Sequence, residues 1–593
     1  MLGFIAVVFI LFGLRLGQLQ LLEYGKYATL SRDNYLRLEK ILPLRGRIFD
    51  RNGVLLAGNK LVEELEYRGG PVLYEDRLLS LLKLKALPQA HQGWTVVSYD
   101  VPNKLVPSIA ELVAGQPNLR LVQKVRRYYP HPITGSLIGY TLLPNAEQVA
   151  EGYSPDQEVG AAGLEASLQP ILQGTPGLKL VEVNAYGQVI RERILRPPIP
   201  GQDVYLTIDY RLQEAAQKAL QDAIVNINYW RKVHGLPFVH VVRGAIVAID
   251  PRTGAVLAMA SAPNFNPNLF TQRPIDSAAV EALLTDHYRP LEDRAVEAYP
   301  PGSVFKVVSA SMFLNDGYVT PQTTFDCSPY IIYGGMVRHN WWPYDMGPFN
   351  VEQALAQSCD TWFYQVAALH PYREVGQLAE RAREFGLGGS TGLELPEAYG
   401  LVPTIPWKEA TLHQPWYPGQ TLSYVIGQDA LLVTPAQMAR VYAAIMMSGR
   451  IPSLRLVHRI GDQLVPPKIT QIPGKGWRAI QAGLRLTVTW GTSHWLMGSF
   501  PVPTAGKTGT AQTDTGRYQR PQAWYAGYGP TDPNSPLPPL VVVAFFEHAG
   551  EGSYIAMPAV RQVMAAYWGI GQKAIYKEVH IQPIPDSLAS AAR

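Results

Sequence analysis

Cysteine is nearly missing from this chain. Two residues in 593, Cys327 and Cys359, exclude a disulfide-dense scaffold and a cysteine-rich zinc or iron–sulfur module. An excess of one charge sign is missing too. Lys and Arg number 52 and Asp and Glu 48, a balance that argues against a protein gripping nucleic acid by its phosphates. No repeat period and no coiled-coil heptad runs through the sequence. What the chain has in quantity is apolar side chain, 47 % of residues against 17 % charged, so a large core can be buried. At roughly 150 residues per domain the length allows about four structural units.

Residues 2–14 carry no charge and no polar side chain. That run falls short of the roughly 20 residues a membrane span needs. It continues as Arg15-Leu-Gly-Gln-Leu-Gln-Leu-Leu22, so Leu2 to Leu22 can span if Arg15 snorkels or meets a partner helix. A cleaved secretory signal is the alternative, against which stand a missing basic leader and a missing small-x-small cleavage site. The expectation is an uncleaved signal anchor over 1–22 with the bulk of the chain outside the cytosol. Arg15, Gln18 and Gln20 would then pack against another membrane protein.

Beyond the anchor, residues 23–200 read as a mixed region. Asn52-Gly53 between apolar runs predicts a tight hairpin turn there. The stiff segment Arg196-Pro-Pro-Ile-Pro-Gly201 predicts a domain boundary. Past it, helical spacing covers Asp209–Ile224, Gly244–Ser261 reads strand–turn–strand, and Val304–Leu314 and Val351–Leu369 read as buried helices. Pro539–His548 is a near-continuous apolar strand, which implies a sheet covered on both faces. Together these predict an α+β or α/β domain over about 205–575, and PDSLASAAR reads as a loose tail.

Three short motifs carry chemistry. In Tyr299-Pro-Pro-Gly-Ser303-Val-Phe-Lys306 the turn residues put Ser303 in a first helical turn, where free N–H groups favour a developing oxyanion. Lys306, three residues on, shares that helix face, so its amine can reach the Ser303 hydroxyl and serve as a base for the serine. Ser80-Leu-Leu-Lys83 has the same spacing without the context, so a capping serine with a solvated lysine is the bland alternative. Ser358-Cys359-Asp360 comes next; Ser31/Asp33 and Ser98/Asp100 match it too, and a turn or helix cap is its ordinary meaning. Lys507-Thr508-Gly509 comes last, within Ala505-Gly-Lys-Thr-Gly-Thr-Ala511. Lysine and threonine suit a carboxylate. The alternatives are an ordinary Gly-rich edge strand, or a phosphate-binding loop, whose G-x-x-x-x-G-K-[ST] frame is absent.

The order Ser-x-x-Lys, Ser-x-Asp, Lys-Thr-Gly is the pattern of penicillin-recognising serine acyltransferases. On these motifs the chain resembles the class B, monofunctional penicillin-binding proteins, and more narrowly their elongation-type members, the penicillin-binding protein 2 group. Asp50-Arg-Asn-Gly53, Gly163-Leu-Glu165, Leu206-Thr-Ile-Asp209 and Ile426-Gly-Gln428 extend the resemblance over nearly the whole chain. Aspartate at 360 favours the elongation type over the division type, which usually carries asparagine there.

The resemblance implies an α+β architecture: one transmembrane helix (1–22), a pedestal of dimerisation-domain type with head and anchor parts (23–200), a β-lactamase-like transpeptidase domain (201–575) and a tail (576–593). It implies that Ser303 attacks the D-Ala-D-Ala carbonyl of a stem peptide, that Lys306 takes its proton, and that Ser358 relays the proton to the leaving D-Ala. Lys507 and Thr508 would hold the terminal carboxylate beside Gly509, and the Ser303 and Thr510 N–H groups would form the oxyanion hole. Asp360 would keep Lys306 protonated, against its role as a base. β-Lactams would acylate the same serine, and no cofactor is implied.

For Cys327 and Cys359 a disulfide, free thiols and zinc stay open. Zinc occurs near this site in some relatives, but Asn340 and Met346 stand where its Asp and His ligands are expected, with His339 and Asp345 offset by one. Asp429 replaces the last glycine of a Gly-Gln-Gly motif. Arg45, Asp50 and Arg51 read as a structural joint, and Trp341, Trp342 and Trp524 as either groove or core. The implied partners are stem peptides on lipid-linked glycan, a RodA-like SEDS glycosyltransferase meeting the anchor helix and pedestal, and an MreC-like scaffold, with no nucleic acid. The competing readings are a β-lactamase or carboxypeptidase, a division-type transpeptidase, and a β-lactam-binding regulatory subunit.

Overall fold

The computed structural model describes residues 12–18, 36–90, 93–183, 189–512 and 521–571. The expected anchor lies outside these except for 12–18, and the expected tail over 576–593 lies outside them entirely. Among the described residues no helix is long and apolar enough to cross a membrane.

The N-terminal region is built on one long strand, Leu55–Tyr67, which pairs antiparallel with Leu119–Tyr128 from Gly58↔Tyr128 to Tyr67↔Leu119. The predicted hairpin at Asn52-Gly53 joins Ile48–Phe49 to this strand. Its side-chain device is Asp50, whose carboxylate accepts the Asn52 and Val54 N–H groups, each at 2.7 Å. Helices Glu75–Leu82 and Val106–Val113 close a small lobe around Leu65, Leu78, Val101 and Ile109. A separate antiparallel sheet joins Leu36–Ile41, Gly177–Val183 and Val189–Arg196.

The two regions share a sheet. Ile48–Phe49 runs parallel to Val204–Leu206, which pairs in turn with Val457–Ile460. The hairpin crosses the same seam: Asp50 also accepts the Tyr210 N–H at 3.1 Å, and Asn52 Nδ2 donates to Asp209 at 3.1 Å. Behind it, the wholly buried Glu165 carboxylate accepts from Arg45 Nε at 2.7 Å and Arg127 Nε at 2.6 Å. Arg45 and Asp50 thus do structural work at the joint.

The C-terminal region holds a five-stranded antiparallel sheet in the order Val256–Ala262, Gly244–Ile249, Leu540–Phe546, Gln522–Gly529, Ala505–Ala511. Successive side chains of a strand point to opposite faces. Val541, Val543 and Phe545 accordingly join one core, while Val542, Ala544 and Phe546 join another. That is why the apolar run is unbroken: each face has its own cover. Tyr210–Val233 and Ala556–Trp568 pack on one side, and Lys306–Asn315 and Pro435–Met446 on the other. Full burial of each large apolar side chain contributes roughly 1.5–3 kcal/mol.

One predicted helix is two. Val351–Ala356 ends and Asp360–Ala367 begins across Gln357-Ser358-Cys359. Ser358 takes the left-handed backbone, φ 55, while the Cys359 N–H closes back to Ala354 O at 2.9 Å and the Ser358 N–H to Leu355 O at 3.2 Å. This is a helix C-terminus whose glycine position holds a serine. Apolar periodicity continues through the break, so the pattern alone hid it.

Candidate active site

Ser303 lies in the 3₁₀ turn Gly302–Phe305, which runs directly into the helix Lys306–Asn315. Ser303 is partly exposed, whereas every other residue from Pro301 to Leu314 is buried. Two devices fix the turn. Gly302, at φ 56, donates its N–H to Gly427 O at 2.9 Å, and a Cβ at Gly427 would fall 2.1 Å from Gly302 O. That contact gives Ile426-Gly-Gln428 its meaning. Upstream, the buried Glu547 accepts from Arg294 at 2.7 Å and from the Tyr299 hydroxyl at 3.1 Å, while the Tyr299 ring stacks on Phe545. Arg294 and Glu547 were not legible as site residues, because nothing local links positions so far apart.

The other two motifs converge on this turn. The Lys306 amine, fully buried, donates to Ser358 O at 2.8 Å, to Ser358 Oγ at 3.3 Å and to Asp360 Oδ1 at 2.7 Å. Burial rules out the solvated-lysine alternative. On the other side, a Cβ on Gly509 would come within 2.9 Å of Val304 Cγ1, and one on Gly302 within 2.9 Å of Thr510 O. The Lys507 strand therefore rides directly against the Ser303 turn. Lys507 is fully buried and donates to Thr508 O at 3.1 Å. The Thr508 hydroxyl meets that of Thr492 at 2.9 Å, and Thr510 Oγ1 accepts the Gly552 N–H at 3.3 Å.

One expectation needs correction. Among the described residues the hydrogen bonds of the Lys306 amine go to Ser358 and Asp360, not to the Ser303 hydroxyl. A charge-assisted bond to a carboxylate outcompetes one to a neutral hydroxyl, and catalytic contacts often tighten only with substrate bound. The electrostatics are coupled. Burial pushes the Lys306 amine below the ordinary lysine range, and Asp360 opposes it. Lys507 is pushed well down by burial and then by the Lys306 charge, again against Asp360. Asp360→Asn removes the charge that favours protonated Lys306. The acid limb of the acylation rate should therefore move to lower pH, by about 1–3 units. A pH–rate profile with penicillin checks this; superimposable profiles would refute it.

Cys327 and Cys359 are joined in a disulfide. Neither sulfur is then a thiolate for a metal, which corrects the zinc alternative. The neighbouring residues do not fit zinc either. Asn340 Oδ1 accepts the Asp360 N–H at 3.0 Å, His339 is exposed, and Asp345 accepts the Gly347 N–H at 2.8 Å. Among the described residues no group of three His, Cys, Asp or Glu could hold a metal ion. Asn340 instead anchors the Ser358 turn. Asp429 stands at φ 65, a backbone that glycine adopts without strain. Trp524 is buried, while Trp341 and Trp342 are exposed.

Comparison with known proteins identifies the family. The family described as "Penicillin binding protein transpeptidase domain" matches residues 244–565, and "Penicillin-binding Protein dimerisation domain" matches 40–206. The chain is 32 % identical to the peptidoglycan D,D-transpeptidase MrdA of Escherichia coli K12, over 83 % of this chain and 80 % of that protein. It is 30 % identical to MrdA of Haemophilus influenzae, over 93 % and 88 %. Among solved structures, one from a peptidoglycan synthase complex that couples polymerisation and crosslinking is 53 % identical, with TM-score 0.83 and 98 % of each chain covered. Penicillin-binding protein 2 of Helicobacter pylori, solved with MreC, is 26 % identical, with TM-score 0.73, over 90 % and 99 %.

Proposed function

Because the chain belongs to the penicillin-binding proteins, in the penicillin-binding protein 2 group, it is a serine-type peptidoglycan D,D-transpeptidase of cell-wall elongation, and we propose that Ser303 is its nucleophile. The observation that carries this is the buried Lys306 amine, bonded to Ser358 and Asp360 one helical turn from Ser303. Lys306 takes the hydroxyl proton as Ser303 Oγ bonds to the penultimate D-Ala carbonyl carbon. The Ser303 and Thr510 N–H groups receive the oxyanion, and Lys507 and Thr508 hold the terminal carboxylate. The peptide C–N bond then breaks, and Ser358 passes the proton to the departing D-Ala. An amine of a second stem attacks the ester, forming the cross-link and returning the proton to Ser303.

We also propose that Leu2–Leu22 anchors the chain in the cytoplasmic membrane with the rest outside the cytosol. There it works with a RodA-like SEDS glycosyltransferase and an MreC-like scaffold. The complexes of the two solved relatives support these partners. So do the exposed Leu38, Ile190 and Ile194 on the sheet nearest the anchor in sequence.

The competing outcome is hydrolysis. Glycan strands bearing D-Ala-D-Ala stems should release D-Ala together with cross-linked stems, both measured by chromatography. Release of D-Ala with only trimmed, uncross-linked stems would make the protein a carboxypeptidase.

A further inference from the structure

Two exposed tryptophans flank Gln357, the residue before Ser358. The Trp341 indole N–H donates to Gln357 O at 2.7 Å, and the Gln357 side-chain amide donates to Trp490 O at 3.4 Å. Trp341 remains 51 % exposed and Trp490 47 %. Trp342 continues the surface, its ring 5.4 Å from that of Trp341, and Tyr344 follows at 5.9 Å from Trp342. Two residues beyond Trp490, Thr492 donates its N–H to Ala356 O at 3.1 Å and meets the Thr508 hydroxyl at 2.9 Å. The Trp490 ring packs edge-on against Phe349 at 5.9 Å, so the exposed aromatics on either side of Gln357 are tied through it and Thr492 to both walls of the cleft, the Ser358 turn and the Lys507 strand.

Large apolar side chains left open to water forgo the stabilisation of burial, and a cluster of them marks a binding surface. Two features select what binds. Trp341-Trp-Pro-Tyr344 carries no charge, which fits a neutral partner better than an acidic peptide. Reach supplies the second. A stem of about five residues extends at most ~18 Å, so a D-Ala held at Ser303 keeps its parent sugar within that distance of the cleft. A sugar ring offers an apolar C–H face to an aromatic ring and hydroxyl groups to its edges.

We propose that Trp341, Trp342 and Trp490 form a glycan subsite that stacks on the N-acetylated hexosamine carrying the stem peptide. The proposal rests on Ser303 being the nucleophile. It gives the enzyme a means to prefer stems on polymerised glycan over free peptides, because the ledge supplies affinity that a sugar-free peptide cannot use.

The test compares Trp341→Ala/Trp490→Ala and Trp341→Tyr/Trp490→Tyr with the unaltered full-length protein. Cross-linking is measured on glycan-borne stems and on sugar-free stem peptide of the same sequence. The ratio of the two kcat/KM values should fall about tenfold in the alanine pair, through KM on the glycan-borne substrate, and recover in the tyrosine pair. Stem-free glycan oligomers should give a calorimetric binding signal with the unaltered protein that the alanine pair loses. An equal loss on both substrates, a loss confined to mixtures with a partner polymerase, or no glycan binding by the unaltered protein would overturn the subsite. Failure of penicillin to acylate the unaltered protein is a separate result, and would overturn the Ser303 reading instead.

Discussion

Ser303→Ala should abolish the penicillin adduct and lower cross-linking by roughly 10⁴–10⁶-fold, the scale on which removal of an acyl-enzyme nucleophile acts. The effect should be chemical rather than structural. Ser303 is the partly exposed member of an otherwise buried turn, and the backbone around it is fixed by Gly302, Gly427 and the Tyr299–Glu547 contact. Alanine suits a first helical turn, so the thermal transition should stay within a degree or two. Intact-mass spectrometry after penicillin treatment, with a melting curve alongside, reads both halves. Retained cross-linking would mean that the chemistry lies elsewhere.

Glu165→Ala should be the most destabilising single change at the joint, by about 3–5 kcal/mol. The carboxylate is wholly buried, and its removal leaves two guanidinium groups, Arg45 and Arg127, buried with no counter-charge between them. Burial pushes the Glu165 carboxyl up, but Arg127 and Arg45 overcome this and hold it below its ordinary value. A carboxyl held low contributes stability that is fully present above its unfolded pKa, near 4.3, and is lost as pH falls through the lower folded value. The unaltered protein should therefore lose joint stability in strong acid, and Glu165→Ala should lose it already at neutral pH. Breaking the exposed Lys60–Asp100 pair should cost at most about 1 kcal/mol, because water screens both partners. Pulse proteolysis in urea distinguishes the two. Equal, small effects would mean that the joint is held by packing instead.

How much of this was written in the sequence depends on the range of the contact. The unbroken apolar run at Leu540–Phe546 announced a doubly covered sheet, because a strand with a wet face alternates. The order of the three motifs pointed to a shared cleft; Gly302 and Gly427 stand where backbones meet too closely for a Cβ, and Gly509 where the Val304 side chain leaves no room for one. The left-handed turn at Ser358 was hidden because serine does not announce a helix end as glycine does. The Arg294–Glu547–Tyr299 contact and the role of Asn340 depend on pairing between distant segments, which leaves no local trace. The Lys306 amine was expected at Ser303 because helix spacing counts neighbours along one helix. The carboxylate that captures it comes from another.

The central claim is that Ser303 is acylated while Lys306, Ser358 and Lys507 share its cleft. Peptide mapping of the penicillin-treated protein by tandem mass spectrometry tests it most directly. A single penicilloyl group on Ser303, lost only slowly to water, is the predicted result. An adduct on Ser358 or any other residue, or no adduct on a folded protein, would contradict it.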